Sequence, residues 1–430
     1  MTKQFFLKYK TFFVLFISFV IVSITYSIFF KFSIVNRIPD QFNVVKYDGE
    51  WFNGIRNFGY IFAPNQMSNM AFFPFFPYLW KWTFLNGLQI SFVNLIIFAA
   101  SFFLLIGKTI YKTSYLMIIS TLPCFIFFFL PYSEACFFLF GTLVILGYRK
   151  DSTALICLGL LGCCLTRSVS TFFIPAIIIT ELLAYKDSGI SRKKLITNII
   201  IYTLVCVSSI FVVILVQGLQ TNKWFYYIEV QKYWKRDWLL PSVPFTTISP
   251  NKVLGIDAVA LILGCTAIFF CLKWGYAYLV SEKKLARIRV TVKSSHICKS
   301  VYFSALFLSA IAIIDTCFTY DIEGSTNMQC MNRHLLCTSF ALCFLNWIHK
   351  DYNPEKWDIY FIIGLLLSGI FFTGVINYIH HTIYYILFGM SFFLYKFFPK
   401  SQPALVLLFL FNVFFMVIFY QDFINGFWIG

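Results

Sequence analysis

The chain has 430 residues, of which 60% are hydrophobic and only 12% are charged, although its formal net charge is +16. A typical soluble domain carries about 25% charged residues, and polar surface could not cover this apolar excess, which includes 56 phenylalanines, in water. These numbers exclude a soluble enzyme, a nucleic-acid-binding domain and a disordered chain. They predict a membrane protein.

Apolar runs long enough for membrane helices, which need about 20 residues each, recur along the whole chain. Because the first run is long and lacks a small-residue cleavage site, we expect it to remain as a span. The sequence predicts one all-α polytopic domain over residues 1–430, with about 11–13 transmembrane helices. The predicted spans are Thr11–Phe30, Leu88–Gly107, Tyr115–Leu130, Ala135–Tyr148, Thr153–Cys164, Phe172–Leu183, Ile196–Val216, Val253–Cys271, Val301–Phe318, Leu335–Ile348, Ile359–Ile376, Thr382–Tyr395 and Ala404–Tyr420.

The distribution of lysine and arginine predicts the orientation of these spans. If Met1–Lys10 is cytoplasmic, the cytoplasmic segments hold about 22 of the 34 basic residues, which agrees with the positive-inside rule. The basic cytoplasmic loop 273–299 is then a topology signal, with anionic lipid as an alternative contact. The net charge needs no nucleic acid, and the long external loops are 31–86 and 217–252.

The first external loop carries two carboxylates among aromatic residues, Asp48 and Glu50. In a helix these side chains would point to different faces, whereas in an extended segment they would share one. A carboxylate held at the membrane surface can act as a general base toward a hydroxyl group. The alternatives for Asp48 are a solvated loop acid and a cap for a helix at Trp51–Phe58.

Two more charged residues lie at the external ends of predicted spans, Glu134 within Pro131–Glu134 and Arg167 within Leu165–Ser168. An acid beside a proline-broken helix end is costly in a membrane unless it is paired or hydrated. An arginine there needs a carboxylate, a phosphate or lipid headgroups. Both residues are therefore candidates for substrate binding, with a helix cap or a structural pair between them as the alternatives.

Aromatic, basic and amide side chains are mixed in the second external loop, within Glu229–Trp238. Sugars stack on aromatic faces and hydrogen-bond to such polar groups, but an interfacial helix on lipid headgroups uses the same residues. The candidate binding residues in this loop are Gln231, Trp234 and Arg236.

A further polar cluster precedes a late span, where Arg333 and His334 follow Asp315 along the chain. His334 is a candidate proton carrier, and the alternative is a polar residue satisfied between helices. Asp315 lies well inside a predicted span, where a proton-coupled transporter would use such a carboxylate.

Taken in order, these motifs resemble the GPI mannosyltransferase 2 (PIG-V type) family and its bacterial relatives, which belong to the multi-spanning GT-C glycosyltransferases. The resemblance covers residues 45–336, and its second external loop is more similar to the bacterial branch. It rests on the segments YDGEWF, FGY, AFFPFFP, PYSE and TRS, an external Q-x-x-W-x-R, and Arg333 at the start of a late span.

The resemblance implies transfer of mannose, or another hexose, from polyprenyl- or dolichyl-phosphate mannose to a lipid-linked or surface glycan on the non-cytoplasmic face. It implies an inverting reaction with no cofactor and no metal, with Asp48 as the catalytic base and Glu50 as a second candidate. Three arginines, Arg167, Arg333 and Arg236, would neutralise the departing phosphate. The other candidate substrate-binding residues are Trp51, Tyr60, Glu134, Gln231, Trp234 and His334.

The bacterial branch implies the bacterial inner membrane, with the endoplasmic reticulum as the alternative. The expected partners are the lipid-phosphate donor, a glycolipid or glycan acceptor, the bilayer and an accessory membrane subunit. The main alternative function is a transporter or flippase for a lipid-linked or amphiphilic substrate, which predicts essential mid-membrane charges such as Asp315 and inverted repeats. A structural subunit of a membrane complex is the third hypothesis.

Overall fold

Helices make up nearly all of the regular structure in the computed structural model. It describes residues 2–107, 111–188, 190–234, 236–247, 254–282, 297–322, 324–328, 330–389 and 402–429. The α-helices in these ranges are α1 (Thr2–Lys31), α2 (Asp48–Phe58), α3 (Phe75–Thr83), α4 (Gly87–Ile106), α5 (Thr113–Ser120), α6 (Glu134–Lys150), α7 (Thr153–Thr166), α8 (Ser170–Ser188), α9 (Arg192–Thr221), α10 (Tyr226–Glu229), α11 (Leu254–Glu282), α12 (Lys299–Cys317), α13 (Met331–Leu336), α14 (Ser339–Lys350), α15 (Lys356–Phe372), α16 (Ile379–Phe388) and α17 (Gln402–Ile424).

Short 3-10 helices and two-residue strands connect the α-helices. The 3-10 helices are Asn69–Ala71, Pro123–Phe129, Val230–Trp234 and Val375–Asn377. The strands are β1 (Asp237–Trp238), β2 (Phe318–Thr319), β3 (Asp321–Ile322) and β4 (Ser325–Thr326). β1 pairs antiparallel with β2, and β3 pairs antiparallel with β4, so the second predicted external loop is joined to the turn that follows α12.

The prediction of an all-α, multi-pass membrane protein is confirmed. Six helices within the described ranges are long and apolar enough to cross a membrane, and a bent pair of helices would make a seventh. This number is lower than predicted because several apolar runs form shorter or broken helices. The predicted continuous span Tyr115–Leu130 is wrong, since α5 ends at Ser120 and a 3-10 helix starts at Pro123, where the ring lacks the N–H that an α-helix needs.

Two other predicted segments can be compared with the structure only in part. The second half of the predicted span Thr382–Tyr395 lies outside the described residues, as does the central part, 283–296, of the predicted basic loop.

The predicted span Leu335–Ile348 is divided, because α13 ends at Leu336 and the Thr338 side chain caps a new helix.

Phenylalanine supplies much of the packing between the helices. Phe98 of α4 stacks on Phe128 at a centroid distance of 4.0 Å, and it meets Phe125 and Phe138 edge-on at 5.2 and 5.3 Å. All four rings are fully buried, and these geometries are the favourable ones for aromatic pairs. Other apolar side chains, such as Phe211 on α9, are exposed on the outer faces of long helices, as expected for surfaces that meet lipid.

Ion pairs join the helix ends that carry the predicted cytoplasmic residues. Lys194, in the first turn of α9, lies 2.5 Å from Asp151, which directly follows α6. Lys299, the first residue of α12, lies 2.7 Å from the buried Glu181 on α8. Basic side chains thus mark one end of the helices, in agreement with the charge pattern that predicts a cytoplasmic side.

The two predicted external loops meet at the other end of α9. The last turns of this helix reach beyond the predicted span and hold the first loop. Gln217 donates a hydrogen bond to the carbonyl of Met70 at 3.0 Å, and Gln220 accepts one from the backbone N–H of Tyr60 at 2.9 Å. The first loop is therefore a folded element, and its helix α2 has a fixed place against the helix ends.

Candidate functional site

Asp48 is the first residue of α2, so the helix separates it from Glu50. Asp48 lines a cavity, whereas Glu50 is exposed and does not line it, because side chains two positions apart leave a helix in different directions. The preceding Tyr47 has a φ of 53°, which is uncommon for a residue with a side chain. Its hydroxyl donates a hydrogen bond to the carbonyl of Gly426, and this contact holds the start of α2 in place.

Arg333, on the short helix α13, joins two carboxylates that are far apart in the sequence. Its Nη2 lies 2.6 Å from Oδ2 of Asp48, and its Nε lies 3.0 Å from Oε1 of Glu134. The guanidinium also lies 5.4 Å from the ring centres of Phe127 and Tyr132, a distance at which a cation is attracted to an aromatic face. Opposite charges and ring faces thus surround a cation that is 6% exposed.

The guanidinium of Arg333 keeps unused hydrogen-bonding capacity. Its Nε is close enough to Glu134 for an ion pair but not aligned for a hydrogen bond, and its buried Nη1 has no partner within the described ranges. Leaving a buried donor unsatisfied costs free energy. The guanidinium therefore has two nitrogens, Nε and Nη1, whose N–H groups no described residue satisfies.

Glu134 and Arg167 extend the row of charges. Glu134 is the first residue of α6 and Arg167 directly follows α7, so each charge lies at the helix end whose dipole favours it. Nη1 of Arg167 lies 3.2 Å from Oε1 of Glu134, which is buried. One carboxylate oxygen thus faces two arginines, and the charges alternate in the order Asp48, Arg333, Glu134 and Arg167.

This row of charges borders a cavity of about 500 Å³, a volume within the usual range for small-molecule sites. Eight of the eleven residues predicted for the site line it, although they come from distant parts of the chain. They are Asp48, Trp51, Arg167, Gln231, Trp234, Arg236, Arg333 and His334. Glu134 lies against two of the lining arginines, and it belongs to the site through these contacts.

Aromatic rings form another wall of the cavity. Trp51 stacks on Phe72 at 6.1 Å, and Trp234 meets both rings edge-on at 5.6 and 5.5 Å. The indole N–H of Trp234 is buried and has no partner in the described part of the chain. Tyr60 does not line the cavity; it is buried behind the wall and donates a hydrogen bond to the carbonyl of Phe72 at 2.9 Å. It therefore supports the wall.

His334 and Arg236 present different chemistry to the cavity. Nδ1 of His334 lies 2.9 Å from Oδ2 of Asp315. Burial lowers the pKa of His334 to about 4, while the nearby Asp315 acts in the opposite direction, so the imidazole is neutral near pH 7. Arg236 is half-buried and has no ion-pair partner within the described residues, which leaves its charge available to an anion.

Residues that sequence reasoning missed complete the cavity. Trp428, beyond the last predicted span, lines it and lies 4.7 Å from the ring of Tyr47. Tyr320 and Cys330 line it from the turn between α12 and α13. An aromatic residue just outside the last span, on the predicted external side, is the pattern that could have indicated Trp428.

A metal site would need several ligating side chains close together within the described ranges. In these ranges no three His, Cys, Asp or Glu side chains come together in an arrangement that could hold a metal ion. The expectation of a reaction without a metal stays a prediction, because its chemistry has not been observed.

Comparisons with known proteins give no match, whether against family models, curated proteins or solved structures. The resemblance to the PIG-V type glycosyltransferases therefore rests on the sequence motifs alone. Independently of that resemblance, residues from six of these motifs lie around one cavity at the ends of apolar helices.

Proposed function

We propose that this protein is a membrane glycosyltransferase that moves a hexose, mannose by its resemblance, from a polyprenyl- or dolichyl-phosphate donor to a lipid-linked or surface glycan. The observation that carries the proposal is the meeting of Asp48, Arg333 and Arg167 at one cavity of about 500 Å³. A carboxylate can accept a proton from a hydroxyl, and arginines can neutralise a phosphate. Glycosyl transfer from a lipid phosphate needs both functions side by side.

The two oxygens of Asp48 allow it to be held and to react at the same time. Oδ2 accepts a hydrogen bond from Arg333 at 2.6 Å, and within the described residues Oδ1 has no partner. In the proposed reaction the acceptor hydroxyl gives its proton to Asp48 as its oxygen bonds to the anomeric carbon. The bond from that carbon to the phosphate oxygen breaks on the opposite face, which inverts the anomeric centre.

The arginines supply charge where the leaving group develops it. The buried Nη1 of Arg333 and the half-buried guanidinium of Arg236 have no partner in the described ranges, and both residues line the cavity. Charge-assisted hydrogen bonds from arginine to phosphate are stronger than neutral ones, and they stabilise a transition state most when they are placed in advance. The helices that surround the site suit a donor with a lipid chain.

The test is mannose transfer from polyprenyl-phosphate mannose in reconstituted vesicles, with wild type beside Asp48→Asn. The substitution removes the base but keeps a side chain of the same shape that can still accept a hydrogen bond from Arg333. We expect a loss of about 100-fold or more, as for removal of a general base, in protein that remains folded. Equal transfer by both proteins would overturn the role of Asp48, and no transfer by wild type would overturn this donor.

A transporter or flippase is the second candidate, and one observation favours it. Asp315 lies on α12, a helix long and apolar enough to cross a membrane, and pairs with His334 at the cavity. Such a titratable pair could couple substrate movement to protons. Scrambling of a fluorescent lipid-linked sugar by vesicles that perform no transfer, lost in Asp315→Asn, would favour this function.

The proposed location is the bacterial inner membrane, with the endoplasmic reticulum as the alternative.

A further inference from the structure

The contact between Asp315 and His334 determines which ring nitrogen carries the proton. Nδ1 of His334 lies 3.1 Å from Oδ1 and 2.9 Å from Oδ2 of Asp315. A ring nitrogen that faces both oxygens of a carboxylate can be stabilised only by donating to them, because its lone pair would be repelled. The proton of the neutral ring is therefore on Nδ1, and Nε2 carries the lone pair.

The position of the pair leaves Nε2 as the nitrogen that can meet a ligand. The side chain of Asp315 is 6% exposed and that of His334 is 12% exposed, and His334 lines the cavity while Asp315 does not. Since Nδ1 is directed toward Asp315, the edge of the ring that carries Nε2 is the edge left for the cavity. Burial, with a smaller effect from the cations Arg167 and Arg333, lowers the pKa of His334 against the opposing effect of Asp315, and the ring therefore keeps this lone pair.

Nε2 of His334 places an acceptor beside several donors that line the same cavity. The arginines and the indole N–H of Trp234 are donors only, and they suit a phosphate, which accepts hydrogen bonds. A carbohydrate hydroxyl also has a proton to donate. A lone pair on His334 would therefore favour a hydroxyl and disfavour a second anionic group, whereas an Nε2–H would favour a further phosphate oxygen.

We propose that Asp315 holds His334 in the Nδ1–H tautomer so that Nε2 accepts a hydrogen bond from a hydroxyl of the carbohydrate bound in the cavity. Asp315 is then a positioning residue and His334 a specificity-determining residue. The choice of ligand rests on the proposed function, but the tautomer does not. The proposal separates the part of the cavity that recognises sugar from the part that neutralises phosphate.

The tautomer is tested by nitrogen NMR of the full-length protein in nanodiscs, with histidine labelled by 15N. The chain has five histidines, and the spectrum of His334→Gln assigns the resonance by its loss. We expect a neutral ring protonated at Nδ1 near pH 7, although free histidine prefers Nε2–H. A neutral Nε2–H ring, or a ring protonated on both nitrogens, would overturn the proposal.

Asp315→Asn tests the positioning role, because an amide can donate to Nδ1 and so release the tautomer. We expect the His334 resonance to move toward Nε2–H. The matched control is Asp257→Asn: this buried carboxylate holds the start of α13 through the N–H and the side-chain amide of Asn332, at 2.8 and 2.7 Å. It should destabilise the protein without changing the tautomer of His334. Equal spectra for Asp315→Asn and wild type would contradict the role of Asp315.

The sugar contact is tested with polyprenyl-phosphate mannose donors that each lack one hydroxyl. In wild type, one of these donors should lose about tenfold in kcat/KM, the size of one hydrogen bond, and this loss should disappear in Asp315→Asn. Equal transfer from all the deoxy donors by the wild-type protein would overturn the sugar contact. The proposed function would survive that result. Wild type that transfers no donor would overturn the proposed function, and the NMR result would then decide the tautomer alone.

Discussion

The two ends of the helix bundle bury ion pairs of different chemistry. At the basic end, Lys273 lies 2.8 and 2.9 Å from the two oxygens of Asp358, which also accepts a hydrogen bond from the hydroxyl of Tyr352. The carboxylate is fully occupied by these contacts. At the cavity end, Arg333 contacts Asp48 but keeps a buried Nη1 with no partner in the described ranges.

The difference indicates which ion pairs serve the fold and which serve a site. Lysine is a compact charge on a flexible chain, whereas arginine is a rigid fork with five donors, so an arginine can hold one carboxylate and still bind another group. Buried ion pairs stabilise a fold only weakly, because desolvation offsets most of their attraction. A network that also leaves a buried donor unsatisfied is poorly suited to stability alone.

Among substitutions at the two ends of the bundle, removal of Arg333 should have the largest effect on both stability and transfer. Arg333→Ala leaves Asp48 without its ion-pair partner and leaves Glu134 to Arg167 alone. We expect a loss of about 3–5 kcal/mol in the free energy of unfolding, the cost of stranding a buried charge, together with loss of transfer. Denaturant unfolding in detergent, followed by tryptophan fluorescence, measures the first effect.

The matched control at the basic end is Lys273→Met, which keeps the aliphatic length and removes the charge. Asp358 would still accept hydrogen bonds from the hydroxyl of Tyr352 and the N–H of Glu355, so the loss should be smaller, about 1–3 kcal/mol. Transfer should be unchanged in molecules that remain folded. If this variant also abolished transfer, the two ends would not differ in function as we propose.

Glu134→Gln should have an intermediate effect, on binding more than on stability. Its carboxylate oxygen is shared by Arg167 and Arg333, and an amide oxygen can still accept the hydrogen bond from Arg167, so the fold should be kept. Without the negative charge the cavity is more positive, and we expect the product polyprenyl phosphate to bind about tenfold more tightly. Product inhibition of transfer measures this change, and weaker inhibition than in wild type would contradict it.

Much of the fold could be predicted because hydropathy reports burial in lipid. The predicted first span, Thr11–Phe30, lies within α1, and Leu88–Gly107 matches α4 to within a residue at each end. Hydropathy does not report where a run is broken, so Tyr115–Leu130 was predicted as continuous although Pro123 divides it. It also does not report where a helix ends, since α9 continues to Thr221, beyond the predicted span Ile196–Val216.

The site could be predicted only as a set of residues on one face. The charge distribution predicts that the polar motifs lie on a common side. A structural pair between Glu134 and Arg167 was one of the alternatives for these two residues, and this pair is observed. The contact between Asp48 and Arg333 joins residues 285 positions apart, and no local pattern specifies such a pairing. Trp428 was missed although its position just outside the last predicted span is a local signal, because nothing in that signal joins it to the first external loop.

Substitution of Glu50, the second acid of the first external loop, should have the smallest effect. It is therefore the sharpest control. Glu50 lies two residues from Asp48 but is exposed and outside the cavity. Glu50→Gln should change transfer by less than about twofold and stability by less than about 0.5 kcal/mol, as is usual for surface substitutions. Measured in the same vesicles as Asp48→Asn, it separates a base that acts at the cavity from a general effect of negative charge near the membrane. A large loss in Glu50→Gln would mean that α2 turns its other face to the substrate, and the assignment of Asp48 would then fail together with the row of charges built on it.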